Sequence, residues 1–219
     1  MKHLGLLIMI VGLTLAYVYH SRDQTLDDEM KDIQNASLRL VVSIDEGSRF
    51  GSAVIFDESD EYYFALTNEH VLRDANRIQA IDYHQNSYEA LMVENSLHIS
   101  YDLGIIKIDK LHDLSVLSFA SSSSLASGVI AVGYPNSIFD ITHGVITSIE
   151  GIEHTITFPV IHHNAYIEMG SSGGALLNLN HDIIGINFAV YHDESGFVES
   201  YAIPVEKVSE YLLTMDYMG

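Results

Sequence analysis

Apolar residues occupy alternate positions through Leu38, Leu40, Val42 and Ile44. That is the period of a strand with one buried face. Similar short runs follow at Phe50–Phe56, Tyr62–Thr67, Arg77–Tyr83, Tyr88–Val93 and Leu103–Ile108. A polar stretch, Ser118–Ser127, reads as a link, and strand-like runs resume at Gly128–Gly133, Gly144–Ile149, Thr155–Phe158, Ala175–Leu179, Ile183–Val190 and Phe197–Ile203. Two groups of about six short strands predict an all-β chain of two packed six-stranded antiparallel β-barrels, residues 36–117 and 128–203. Pro204 then opens a C-terminal helix through about Tyr217, since proline suits a first helical turn; Val208 and Leu212 supply its apolar face.

The N-terminus breaks this pattern. An uncharged apolar run spans Leu4 to Tyr19 behind Met1-Lys2-His3. As a helix it would be about 24 Å long against a hydrocarbon core of about 30 Å, a short membrane span. Thr14-Leu15-Ala16 is a poor cleavage signal, and Tyr17, Tyr19, His3 and His20 suit the interfaces. Residues 1–20 therefore read as an uncleaved anchor with the domain outside, and as a cleaved signal peptide in the alternative. Residues 21–35 form an acidic tether. Leu26, Met30 and Ile33 line one face of a short amphipathic helix, which either rests on the barrel or contacts another subunit.

Candidate chemistry centres on Met169-Gly170-Ser171-Ser172-Gly173-Gly174-Ala175-Leu176. A serine hydroxyl needs a base to take its proton. Flanking glycines allow a sharp turn that aims neighbouring N–H groups at one point, as an oxyanion hole requires. Upstream lie His70, in Leu66-Thr67-Asn68-Glu69-His70-Val71-Leu72, and Asp102, in Tyr101-Asp102-Leu103-Gly104-Ile105-Ile106-Lys107-Ile108. Each of the three borders an apolar β-like run, and together they suggest a serine hydrolase. Gly170-Ser171-Ser172-Gly173-Gly174 also fits the G-x-S-x-G elbow of esterases, but that fold needs Asp and then His after the serine and a strand–helix alternation absent from this sequence.

In order along the chain, these segments resemble the trypsin-like serine proteases of the chymotrypsin fold, and among them the bacterial HtrA/Deg branch. Gly51-Ser52-Ala53-Val54-Ile55-Phe56, Ala131-Val132-Gly133-Tyr134-Pro135, Ile184-Gly185-Ile186-Asn187 and Tyr201-Ala202-Ile203-Pro204 carry the resemblance alongside the His70, Asp102 and Ser172 segments. It covers about Ala36 to Pro204. It implies a serine endopeptidase acting on unfolded or exported proteins, with His70, Asp102 and Ser172 as the triad and the N–H groups of Gly170 and Ser172 as the oxyanion hole. It also implies an S1 pocket lined by Tyr166, Glu168, Asn187, Phe188 and Ala189. A bulky Tyr166 favours small aliphatic residues there, whereas Glu168 favours basic ones. Related HtrA proteases assemble through N-terminal segments, so a homo-oligomer is a further expectation. Ser171 stands where that branch has Asn, Glu69 replaces a usual Asn and Ala175 a usual Pro. The sequence runs 15 residues beyond Pro204, which leaves no room for a PDZ domain. A non-catalytic peptide-binding module that retains the fold is the competing reading, followed by a tethered scaffold.

Charge narrows the partners. The net charge is −20, and no Lys or Arg occurs between Leu111 and Glu206. Nucleic-acid binding is excluded on that ground, because phosphate contacts need basic residues. The chain has no cysteine, hence no disulfide framework. His143, His154, His162 and His163 lack metal-site spacing and read as surface histidines; no metal or cofactor is expected.

Overall fold

The computed structural model describes residues 30–123, 128–152, 156–194 and 196–217. The first closed barrel contains β1 (Ser37–Ile44), β2 (Gly47–Glu58), β3 (Tyr62–Thr67), β4 (Arg77–Ile81), β5 (Ser87–Met92) and β6 (Gly104–Asp109), in the order β1-β2-β3-β6-β5-β4. The second contains β7 (Gly128–Gly133), β8 (Asp140–Glu150), β9 (Val160–His163), β10 (Ala175–Asn178), β11 (Ile183–Asp193) and β12 (Gly196–Pro204), in the order β10-β11-β12-β9-β8-β7. All these pairings are antiparallel. Two six-stranded barrels are thus present as the sequence pattern predicts.

Period-2 burial explains the strands. Leu38, Leu40 and Val42 are fully buried in β1. In β2, every residue from Gly51 to Phe56 is buried, because one face fills its own barrel and the other meets the second barrel. A single apolar cluster joins Leu40, Leu66 and Ile106 to Val132, Ile186 and Phe188 across that boundary. Barrel packing therefore belongs to the core rather than to a polar seam.

Three expectations need correction. Residues 156–158 are not a strand; the strand at this place is β9, which begins after Pro159. A proline has no N–H to give a ladder, so pairing starts with fully buried Val160 and Ile161. His162 and His163, expected at the surface, are buried in β9. The C-terminal helix, α2 (Val205–Leu212), is shorter than expected. It buries Val205, Val208 and Tyr211, and the chain then leaves the helix so that Tyr217 packs edge-on against Phe56 and Phe64. Residues 30–35 are helical, and Ile33 is sealed in the core. The proposed anchor at 4–19 and the tether up to residue 29 lie outside the described residues. Among those described, no helix is long and apolar enough to cross a membrane.

Candidate active site

His70 sits on a four-residue helix, α1 (Glu69–Leu72), directly after β3. So short a helix cannot satisfy its own carbonyls. Arg49 of β2 does so instead, donating to His70 O at 2.7 Å and Arg73 O at 2.8 Å. Glu69 is buried and takes both guanidinium bonds of Arg73, at 3.0 and 2.6 Å. The backbone beneath His70 is thereby clamped from both sides.

Asp102 closes a tight turn in which His98 and Leu103 pair. Its φ of 53° lies in the left-handed region, which aspartate tolerates better than most side chains. Asn68 Nδ2 donates to Asp102 O at 3.0 Å, and the His70 N–H donates to Asp102 Oδ1 at 3.0 Å. His70 Nδ1 lies 2.8 Å from Asp102 Oδ2 and 3.0 Å from Oδ1. A carboxylate only accepts, so Nδ1 carries the proton and Nε2 keeps a lone pair. The His70 side chain is 37 % exposed and that of Asp102 13 %, so the imidazole is reachable and the carboxylate shielded.

The Ser172 loop joins β9 to β10 and rests on the first barrel. Ser52 N–H donates to Ser172 O at 2.8 Å. Ser52 Oγ donates to Gly170 O at 2.7 Å and accepts from Tyr134 N–H at 2.9 Å. Gly173, at φ 87°, has no room for a side chain: a Cβ would lie 2.2 Å from both Ser52 O and Thr67 Oγ1. A Cβ on Gly51 would lie 2.7 Å from Val71, the neighbour of His70, and 3.2 Å from Ser172 O. Gly51 therefore lies between the helix that carries His70 and the Ser172 backbone. The Ser172 hydroxyl donates to Phe188 O at 3.3 Å in this rotamer, rather than to His70.

Among the described residues, the N–H groups of Gly170 and Ser172 have no acceptor, whereas Ser171 and Gly173 donate to Glu168 O and Asn187 O. Asn136 N–H holds Met169 O at 3.2 Å. In a trans peptide the next N–H points the opposite way, so this bond turns the Gly170 N–H away from Asn136. Asn136 itself sits at φ 50° and reaches Glu168 Oε2 through Nδ2 at 3.1 Å.

The expected S1 residues divide. Tyr166 is 40 % exposed, its hydroxyl is bonded to Glu168, and its ring meets Phe197 at 5.1 Å. Ala189 is partly exposed, and Phe188 is buried with its carbonyl toward Ser172. Asn187 does not line the cleft with its side chain. It is fully buried and donates to Ala175 O at 2.9 Å, while its backbone pairs with Gly173 and Gly174 behind the serine. Beside it His163 is sealed, close to Asn187 and Ala165, and burial holds it down at about 4. His162 instead donates to Glu199 at 2.9 Å. Ser52 and Asn136 were invisible to motif reading as supports; the only trace of Ser52 is its place in Gly51-Ser52-Ala53.

Residues 51–186 match the family model described as trypsin-like peptidase domain. The chain belongs to the trypsin-like peptidase family. Within it, this trypsin-like chain is 34 % identical over 167 residues to the probable periplasmic serine endoprotease DegP-like of Buchnera aphidicola, covering 73 % of this chain and 35 % of that one. It is 33 % identical over 178 residues to the serine protease Do-like HtrB of Bacillus subtilis, covering 74 % and 38 %. Among solved structures, the HtrA-type protease AlgW with tripeptide superposes with a TM-score of 0.74 at 27 % identity, over 86 % of this chain and 62 % of that one. The serine endoprotease from Yersinia pestis gives 0.72 at 27 % identity, over 86 % and 65 %. The chain spans about a third of the length of the curated relatives it matches.

Proposed function

We propose that this chain is a serine endopeptidase in which His70, Asp102 and Ser172 form the triad. The observation that carries the reading is the His70–Asp102 pair, on a helix that shares the neighbour Gly51 with a serine flanked by two unpaired N–H groups. Turning about its Cα–Cβ bond, Ser172 leaves Phe188 O for His70. Its oxygen attacks the scissile carbonyl as Nε2 takes the proton, and the N–H groups of Gly170 and Ser172 receive the oxyanion. Collapse breaks the C–N bond, His70 returns the proton to the leaving amine, and water then hydrolyses the acyl-enzyme. Substrates are unfolded or exposed segments of exported proteins, which add as a strand beside the cleft. Residues 4–19 anchor the chain in a bacterial cytoplasmic membrane with the domain outside, in keeping with relatives named periplasmic.

A fluorophosphonate should label the protein at Ser172, and Ser172→Ala should abolish labelling and lower turnover by about 10³-fold or more. Labelling of another serine would sink the assignment. The bond from Ser172 to Phe188 O favours a second reading, a peptide-binding module with an idle serine. That reading predicts peptide binding without any labelling. Membrane fractionation with N-terminal sequencing tests the anchor: a soluble product beginning near Tyr17 removes it.

A further inference from the structure

Met169 stands directly before the Gly170 N–H, and its side chain is 88 % exposed, against 37 % for Met30. Met92 and Met215 are partly buried and packed against the core. The remaining methionines lie outside the described residues. The chain has no cysteine, so no thiolate draws an oxidant away. A hollow of about 440 Å³ opens beside Met169, lined also by Phe50, Asn136 and Gly170, and it gives a small oxidant access to the thioether. By exposure, Met169 is the first methionine among the described residues to react.

Oxidation changes what this side chain can bind. A thioether sulfur is a weak acceptor, whereas a sulfoxide is polar and carries a strong acceptor oxygen. The idle donors are at hand. The N–H of Gly170, on the peptide bond that Met169 itself forms, has no acceptor, and neither has that of Ser172. The competing donor, Asn136 Nδ2, is already held by Glu168. We propose that Met169 is a reversible oxidation switch: a peroxide adds one oxygen to its sulfur, and the sulfoxide oxygen then takes the Gly170 N–H that the oxyanion needs. In that step a sulfur lone pair attacks one oxygen of hydrogen peroxide, the O–O bond breaks, sulfur gives up two electrons and water leaves. A sulfoxide reductase supplied with thiols reverses it, releasing the oxygen as water and leaving two thiols joined as a disulfide. The loss of activity rests on the protease reading above; the oxidation of Met169 does not.

The test treats the full chain with dilute hydrogen peroxide and follows two quantities over time. Peptide mass mapping should find one added oxygen on Met169 before any other described methionine. Cleavage of an internally quenched peptide, copied from a casein fragment that the chain cuts, should fall in step by at least about 10-fold, carried by kcat rather than KM, because the blocked donor acts in the transition state. Fluorophosphonate labelling should slow with it, since the phosphonyl oxygen needs the same N–H. Methionine sulfoxide reductases A and B with dithiothreitol should restore the rate. Met169→Leu, which keeps an apolar side chain but has no sulfur, should hold its own starting activity through the same treatment. Earlier oxidation of another described methionine overturns the site. A fully oxidised Met169 with an unchanged rate, or a Leu variant inactivated as fast as the parent, overturns the switch. Each of these leaves the protease reading standing. A chain that neither cuts peptide nor takes the label before treatment overturns both.

Discussion

The two halves of the site are built differently. His70 and Asp102 come from one barrel and are fixed by neighbours in it: Asn68, Arg49 and the pairing of buried Glu69 with exposed Arg73. The Ser172 loop comes from the second barrel, where Asn136 and the Asn187 backbone hold it, and it also leans on the first. Ser52 alone contacts Ser172 O, Gly170 O and Tyr134 N–H, and Gly173 is squeezed against Ser52 and Thr67. The His70–Asp102 pair is therefore a local construction, whereas the Ser172 loop, with the N–H groups of Gly170 and Ser172, also depends on barrel-on-barrel packing. A defect at the barrel boundary should disturb the second set and spare the first.

Two substitutions probe that contrast. Asp102→Asn should lower kcat by roughly 10³- to 10⁴-fold, because a neutral amide no longer selects the right His70 tautomer. The melting temperature should stay close to that of the parent; a similar rate in the variant would show that another group orients His70. Ser52→Ala leaves Gly170 O and Tyr134 N–H without their partner, which should cost about 1–3 kcal/mol of stability. It should also lower kcat by roughly tenfold with little change in KM, as expected when a group acts only in the transition state. The His70 titration, followed by NMR, should not move. A shifted His70 would mean the two halves are coupled after all.

The smallest effect concerns His163, behind the serine. Burial lowers it to about 4, so the folded chain keeps it neutral. The unfolded chain takes a proton near ~6.5. Between these values the unfolded state binds more protons, so stability falls as pH drops from about 6.5 toward 4 and then levels, by at most about 3 kcal/mol. His163→Leu should flatten this slope, because the titrating ring is gone. Denaturant midpoints at pH 7 and pH 4.5 decide it; an unchanged slope would assign the acid sensitivity elsewhere.

Much of the architecture was legible because alternation is a local signal: Leu38, Leu40 and Val42 announce β1 without help from the rest of the chain. What failed was tertiary. His162 and His163 look like surface residues, since nothing local says that two histidines after Pro159 will be buried between β8 and β12. Asn187 looked like a pocket residue because its neighbours border the cleft, but a bulge between Asn187 and Ala189 changes the facing of β11 and leaves Asn187 behind the serine loop. The His70–Asp102 contact follows from motif order, whereas the role of Ser52 depends on how two barrels meet, which no window of sequence contains.

The helix α2 carries a last consequence. Its Tyr211 is sealed, and its hydroxyl donates at 2.6 Å to Ser96 O, at the base of the turn that bears Asp102. The adjacent Glu210 accepts from Tyr101. A ribosome delivers the chain N-terminus first, and domains form as they emerge. The turn that bears Asp102 is thus made well before Tyr211, which follows Ser96 by 115 residues. Assembly order becomes a clock: the nascent chain carries the Asp102 turn well before the brace that steadies it arrives.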